Sequence, residues 1–212
     1  MEDRINEQSI NTFLNNLASH APAPGGGSVA ALTGAMAAGL LSMTCAILLR
    51  KELAPEVAEE LEFALRQAET TRQTLQQLAQ EDVTVFEHLS AAYKLPRTTD
   101  ADAATRKAAI QKLTRDATEV PMQTAHAAAS LLPLCTLVVH HCTRMVVSDV
   151  GIAALLAQST VQSAVLNVDI NLALLQDKLY KQEILARIED LTVGLAEETT
   201  GVLELVKERI LN

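Results

Sequence analysis

Along nearly the whole chain apolar residues return every three or four positions, the spacing of one helix face, and no segment reads as a strand. A first helix is predicted over 9–19, where Ile10, Phe13, Leu14 and Leu17 make an apolar stripe. Pro22, Pro24 and three glycines end it. A second is predicted over 28–53 with Ser28 as its N-cap, and residues 29–49 of it carry no charge. Such a helix is either surrounded by other helices or long enough to span a bilayer. Ala, Gly, Ser and Thr fill much of it, so a buried central helix in a soluble chain is expected. Ala30, Gly34 and Ala38 share one face, where small side chains let a second helix come close. Because this helix must be covered on every side, oligomerisation is expected.

A third helix is predicted over 55–93. Its core stripe includes Val57, Leu61, Leu65, Leu75, Leu78, Val85, Phe86 and Leu89, with charged residues on the other side. Residues 95–100 read as a loop in which Thr99 or Asp100 caps the next element. That element covers 101–143, with kinks or breaks expected at Pro121 and Pro133. A fifth helix follows from 149 or 150 to 175, capped by Ser148. The last is predicted over 181–210, with Ile184, Ile188, Leu191, Leu195, Val202, Leu205 and Val206 facing inward. The pattern gives an all-α fold in a single domain, 1–212, without internal repeats.

Composition supports helices. The chain has 212 residues, 49% of them hydrophobic, yet only 2% aromatic, so Ala and Leu supply most of the core. A formal net charge of -9 argues against a general nucleic-acid surface. Cys45, Cys135 and Cys142 are odd in number, widely spaced and set in apolar runs, which reads as buried reduced thiols. With an acidic start, Met1-Glu2-Asp3-Arg4, and no signal-peptide core, a cytoplasmic location is expected.

Candidate chemistry concentrates in a few places. Pro22-Ala23-Pro24-Gly25-Gly26-Gly27-Ser28 stands directly before a helix. Glycines let main-chain N–H groups approach a ligand, and the helix N-terminus favours negative charge there. The segment is not a Walker or Rossmann motif, and its structural alternative is a tight turn between packed helices. Asp82 falls on or near the apolar stripe of its helix, where partial desolvation would raise its pKa and suit it to proton transfer; a solvated acid beside Glu81 is the alternative. Asp149 follows Ser148 at a helix start, where an acid also serves as a cap. Asn167 and Asn171 lie four apart amid apolar neighbours, to bind a polar ligand or to bond across a helix interface. Adjacent His140 and His141 point about 100° apart, His88 and His126 have no HExxH partner, and no metal site is expected.

Taken together these segments resemble the cyclodeaminase/cyclohydrolase family, which includes the C-terminal domain of formiminotransferase-cyclodeaminase and stand-alone bacterial cyclohydrolases. The resemblance runs through the glycine block 22–31, Asp82-x-x-x-Phe86, Leu95-Pro96-Arg97-Thr98-Thr99, Pro121, Ser148-Asp149 and Asn167-Val168-x-Ile170-Asn171-Leu172. It covers about residues 10 to 200 in the family's order. It implies long antiparallel helices, a homodimer, a folate pocket near the glycine loop, and no metal or redox cofactor. Two positions depart: the family usually has Lys where Arg97 stands, and a Gly-Asn pair where Cys142-Thr143 stands.

On that resemblance the expected activity is hydrolysis of 5,10-methenyltetrahydrofolate to 10-formyltetrahydrofolate, with a cyclodeaminase releasing ammonia as the alternative. Asp82 is the expected base or proton shuttle, and Arg97 the group holding an oxyanion or a glutamate-tail carboxylate. Pro24, Gly25, Gly26, Gly27, Ser28, Asp149, Asn167 and Asn171 are the expected substrate contacts. A helical dimer that binds a ligand without catalysis is the reading from another class, favoured by Cys142-Thr143.

Overall fold

The computed structural model describes residues 4–211. Among them are eight α-helices, one 3-10 turn at Ile5–Glu7, and no strand. The helices are α1 (Ile10–Leu17), α2 (Gly26–Leu48), α3 (Pro55–Tyr93), α4 (Asp100–Ala129), α5 (Leu131–Val139), α6 (Val147–Leu174), α7 (Lys178–Thr192) and α8 (Leu195–Leu211). The location expectation rests on the three cysteines, which are free and buried, and on residues 1–4, all but Arg4 of which lie outside the described part.

Helices α2, α3, α4 and α6 pack as a ring in which each touches the next and α6 closes back on α2. Short loops join α2 to α3 and α3 to α4, which sets those neighbours antiparallel. Helices α5 and α8 pack on α6 and on each other, and α7 lies on α4 and α6. With few aromatics, the interior is aliphatic: Leu41, Leu48, Leu61, Leu131, Leu132, Val138 and Val150 are buried together with all three free cysteines. At the small-residue face of α2, a β-carbon on Gly34 would stand 3.0 Å from both Leu75 of α3 and Thr160 of α6. Glycine is what lets the three helices meet there. By length and composition α2, Asp100–Val139 and α6 could each cross a membrane; in this fold they pack on one another.

Several predicted boundaries shift, each for a local reason. Helix α2 begins with Gly25 as N-cap rather than Ser28, whose hydroxyl is instead donated to a carboxylate, and it ends at Leu48 rather than 53. Ser148 does not cap α6. The carbonyl of Thr143 already accepts the amides of Val146 and Val147, so the chain is turned before Ser148 is reached. Pro121 stays inside α4, and the break falls at Ser130; Pro133 sits in the first turn of α5, where no intrahelical donor is needed. The final helix divides at Gly194, whose φ of 76° lies in the left-handed region. No residue of the α1 stripe is fully buried: Phe13 and Leu17 are half-buried and Ile10 is 78% exposed. Helix α3 spans the expected residues, and of the two expected caps it is Thr99 that caps α4, in a capping box with Asp102.

The C-terminal end of α6 is held in place by its neighbours. Gln111 of α4 donates its side-chain amide to the Leu174 carbonyl at 3.0 Å and accepts the Gln176 amide at 2.7 Å. Asp177 then caps α7 by accepting the amides of Leu179 and Tyr180.

Candidate active site

Where α2 begins, the late turns of α3 and α6 and the middle of α4 come together around a cleft of about 380 Å³. That volume falls in the range of small-molecule sites. The turn contributes Pro22, Ala23, Gly25, Gly26 and Gly27. From α3 come Asp82, Val85, Phe86, Leu89 and Tyr93, and from α4 Ala117 and Pro121. Asn167, Ile170, Asn171 and Leu174 of α6 complete the wall.

Asp82 is fixed against the start of α2. The hydroxyl of fully buried Ser28 donates to its Oδ2 at 2.8 Å, and the Ser28 amide donates to the carboxyl group as well. A β-carbon on Gly27 would collide with that carboxyl group, with Oδ2 only 2.8 Å away. Burial raises the pKa of Asp82 above the ordinary carboxylate value, and the two bonds from Ser28 offset only part of the rise. The result is an acid that is oriented, partly desolvated and able to hold or release a proton. No Lys, Arg or His is among the residues lining the cleft, so Asp82 supplies its one carboxylate charge and the field there favours a cation.

The two asparagines face the cleft from α6, one turn apart. Asn167 donates its amide to the Ser163 carbonyl of its own helix at 2.9 Å, and its Oδ1 lies 3.7 Å from a β-carbon placed on Gly26. Asn171 donates across the interface to the Ala117 carbonyl of α4 at 2.9 Å. Ligand contact and interhelical bonding, alternatives from sequence, are compatible at Asn171.

The remaining sequence candidates are placed as follows. Ser28 lies directly behind Asp82. Pro24, which follows a cis peptide bond, faces a neighbouring depression with Gln80 and Val83. Arg97 is exposed in the loop between α3 and α4 and is not among the lining residues. Asp149 stands in the first turn of α6, whereas Asn167 and Asn171 stand near the far end of that 28-residue helix, which is about 42 Å long. Cys142, of the departing pair Cys142-Thr143, is buried against the core near Asp149 and is not among the residues lining the cleft. Among the described residues, no three His, Cys, Asp or Glu side chains gather as a metal-binding group.

Sequence reading missed part of the wall. Phe86, expected in the core, is 39% exposed and lines the cleft. Val85, Phe86, Leu89 and Tyr93 follow Asp82 at i+3, i+4, i+7 and i+11, so the helical face of the acid was the signal that marked them. Lys94 escaped notice too: it lines an adjoining groove that shares Pro22, Ala23 and Phe86 with the cleft.

Residues 9–190 match the family described as formiminotransferase-cyclodeaminase. The chain is 36% identical to a methenyltetrahydrofolate cyclohydrolase from Methylorubrum extorquens, covering 96% of this chain and 98% of that protein. It is 30% identical to the formimidoyltransferase-cyclodeaminase of Sus scrofa, over 98% of this chain but only 38% of that longer protein. The crystal structure of a formiminotetrahydrofolate cyclodeaminase from Thermotoga maritima superposes with a TM-score of 0.85 at 25% identity, covering 96% of this chain and 98% of that one.

Proposed function

The chain belongs to the formiminotransferase-cyclodeaminase family, and on that premise we propose that it hydrolyses 5,10-methenyltetrahydrofolate to 10-formyltetrahydrofolate in the cleft around Asp82. It is an enzyme of one-carbon folate chemistry. The observation that carries the cyclohydrolase reading is the oriented, half-buried Asp82 carboxyl group in a cleft whose lining includes no basic side chain. The substrate bears a cationic amidinium carbon, and Asp82 stabilises that charge on binding. Water adds to the carbon while Asp82 takes one of its protons. As the carbon–N5 bond breaks, N5 receives a proton from Asp82 and the added oxygen becomes the formyl carbonyl, its last proton leaving to solvent. Gly25, Gly26 and Gly27 line the cleft at a helix N-terminus, whose amides would favour this oxygen as charge develops, while the Ser28 amide stays with Asp82. Asn167 and Asn171 hold the pterin, and Arg97 or Lys94 meets the glutamate tail.

The cyclodeaminase reading is favoured by the fold shared with the Thermotoga maritima protein. The same carboxyl group would protonate departing ammonia as N10 attacks the formimino carbon held on N5. An assay with both substrates decides. Loss of the methenyl chromophore without ammonia supports hydrolysis, and ammonia from formiminotetrahydrofolate supports the alternative. Tight binding with neither turnover supports a non-catalytic ligand-binding dimer.

We further propose a cytoplasmic homodimer. Met36, Met43 and Ile47 of α2 and Ile152, Leu155 and Leu166 of α6 are exposed on two mutually packed helices that carry no Lys or Arg. A second copy covers this face, and Asp149 reaches a cleft only through such a partner. Sedimentation at the mass of one chain would overturn the dimer, and recovery in a membrane pellet the location.

A further inference from the structure

Pro121 lies inside α4 and has no N–H to give. The carbonyl four residues earlier, that of Ala117, therefore loses its helical donor, and Asn171 fills the gap by donating Nδ2 to it at 2.9 Å. A carbonyl only accepts, so the amino end of the Asn171 amide must be the end that faces α4. Its oxygen is left for the cleft, which both residues line. The same reasoning orients Asn167. Its amino end is committed to the Ser163 carbonyl, which leaves its oxygen for the cleft that Asn167 lines. Among the described residues, neither amide oxygen accepts a bond from the protein. One wall thus presents two acceptors a helical turn apart, and Asp82 adds a third from α3.

We propose that Asn167 and Asn171 are a specificity pair that reads a hydrogen-bond-donor edge of the bound ring, and that Pro121 is the positioning residue that fixes Asn171 for it. The proposal rests on the folate reading and names the part of the ligand recognised: the exocyclic amino group of a 2-aminopyrimidinone ring. Side chains at i and i+4 stand about 5–6 Å apart. The two hydrogens of one amino group, each making a bond of about 2.9 Å, reach acceptors about 5 Å apart. A ring turned to show its carbonyl and unprotonated nitrogen would set oxygen against oxygen, so the wall selects the binding orientation as well as the ring.

The test compares turnover of 5,10-methenyltetrahydrofolate with that of its 2-desamino-2-methyl analogue. The wild-type chain should prefer the natural ring by roughly 30-fold in kcat/KM, the order expected for two neutral hydrogen bonds, and the difference should lie mainly in KM. Asn167→Leu and Asn171→Leu should each cut that preference to about fivefold. Pro121→Ala returns an N–H to the Ala117 carbonyl and frees the Asn171 amide to turn. It should raise KM for the natural substrate by about fivefold and reduce the preference, without lowering Tm, because α4 gains a hydrogen bond. A proline with a purely structural role would change Tm and leave the preference intact.

Equal wild-type rates on the two rings, or an unchanged preference in all three variants, would overturn the proposal. If the wild-type chain neither turns over nor binds the natural substrate by calorimetry, the folate reading has failed and this proposal falls with it. That result is distinct, because it appears in the wild-type chain before any variant is made.

Discussion

The main chain of Gly27 and the carboxyl group of Asp82 touch so closely that no side chain fits between them. The contact sets the acid at the first turn of α2, within reach of the Ser28 hydroxyl and amide. Gly27→Ala must push the carboxyl group or the helix start aside. A forced repacking of this kind costs about 1–3 kcal/mol. Displacing a proton-transfer group by about 1 Å costs on the order of 100-fold in rate. Thermal melting and kcat/KM measured together check this, and wild-type activity in the variant would show that Asp82 need not sit there.

Asp82→Asn separates charge from shape. The amide can still accept the Ser28 hydroxyl bond but cannot carry a proton between water and N5, so turnover should drop at least about tenfold. Stability should move the other way. The folded-state pKa of Asp82 is raised above 3.8, so between that value and the folded pKa the native chain binds more protons than the unfolded one. Stability from this group is therefore present at low pH, declines as pH rises through that window, and is flat above it. Tm against pH for wild type and variant gives the difference, and the variant should be the more stable at neutral pH. An unchanged rate would remove Asp82 from the mechanism.

These two residues also show how far the sequence could be read. The helices were legible because α3 is long and periodic and because α2 and α6 are long, mostly apolar runs without an internal proline, and the glycine block and Asp82 could be joined by resemblance. Ser28 was identified, but as a cap and a substrate contact, because the carboxylate it bonds lies 54 residues away on another helix and local pattern is silent on such pairs. The role of Pro121 was hidden likewise: a proline announces a missing bond, while the side chain that replaces it comes from α6. Phe86 was assigned to the core because an aromatic on an apolar stripe looks the same whether it faces a neighbour or a cleft.

Gly194 and Gly201 were indistinguishable in sequence, each a lone glycine in a helical pattern, yet they act differently. Gly194 ends α7 with a φ of 76°, and Gly201 lies within α8; neither has an atom within 4 Å of an added β-carbon. Gly194→Ala should thus cost about 1–2 kcal/mol from backbone strain alone. Gly201→Ala should add about 0.5–1 kcal/mol by lowering the entropy of the unfolded chain. Urea melts read both, and effects of the same sign would contradict the break at Gly194.

Lys94 offers the last prediction, set against Arg97. The groove lined by Phe86, Glu87, Ser90, Ala91 and Lys94 continues from the cleft across Pro22, Ala23 and Phe86, so a tail leaving the cleft along α3 reaches the Lys94 ammonium. Both Lys94 and Arg97 are exposed, which limits the gain from pairing with a carboxylate to about 0.2–1 kcal/mol, or up to about fivefold in affinity. Glu87 in the same groove opposes a polyanionic tail and holds the effect toward the lower end. Lys94→Ala should raise KM for a substrate with its glutamate tail by about 1.5- to twofold, leave KM for a tail-less pterin analogue unchanged, and lose its effect at high salt. Arg97→Ala should change KM less, because Arg97 lines neither the cleft nor the groove. The reverse ranking would place the tail over the α3–α4 loop instead of along α3.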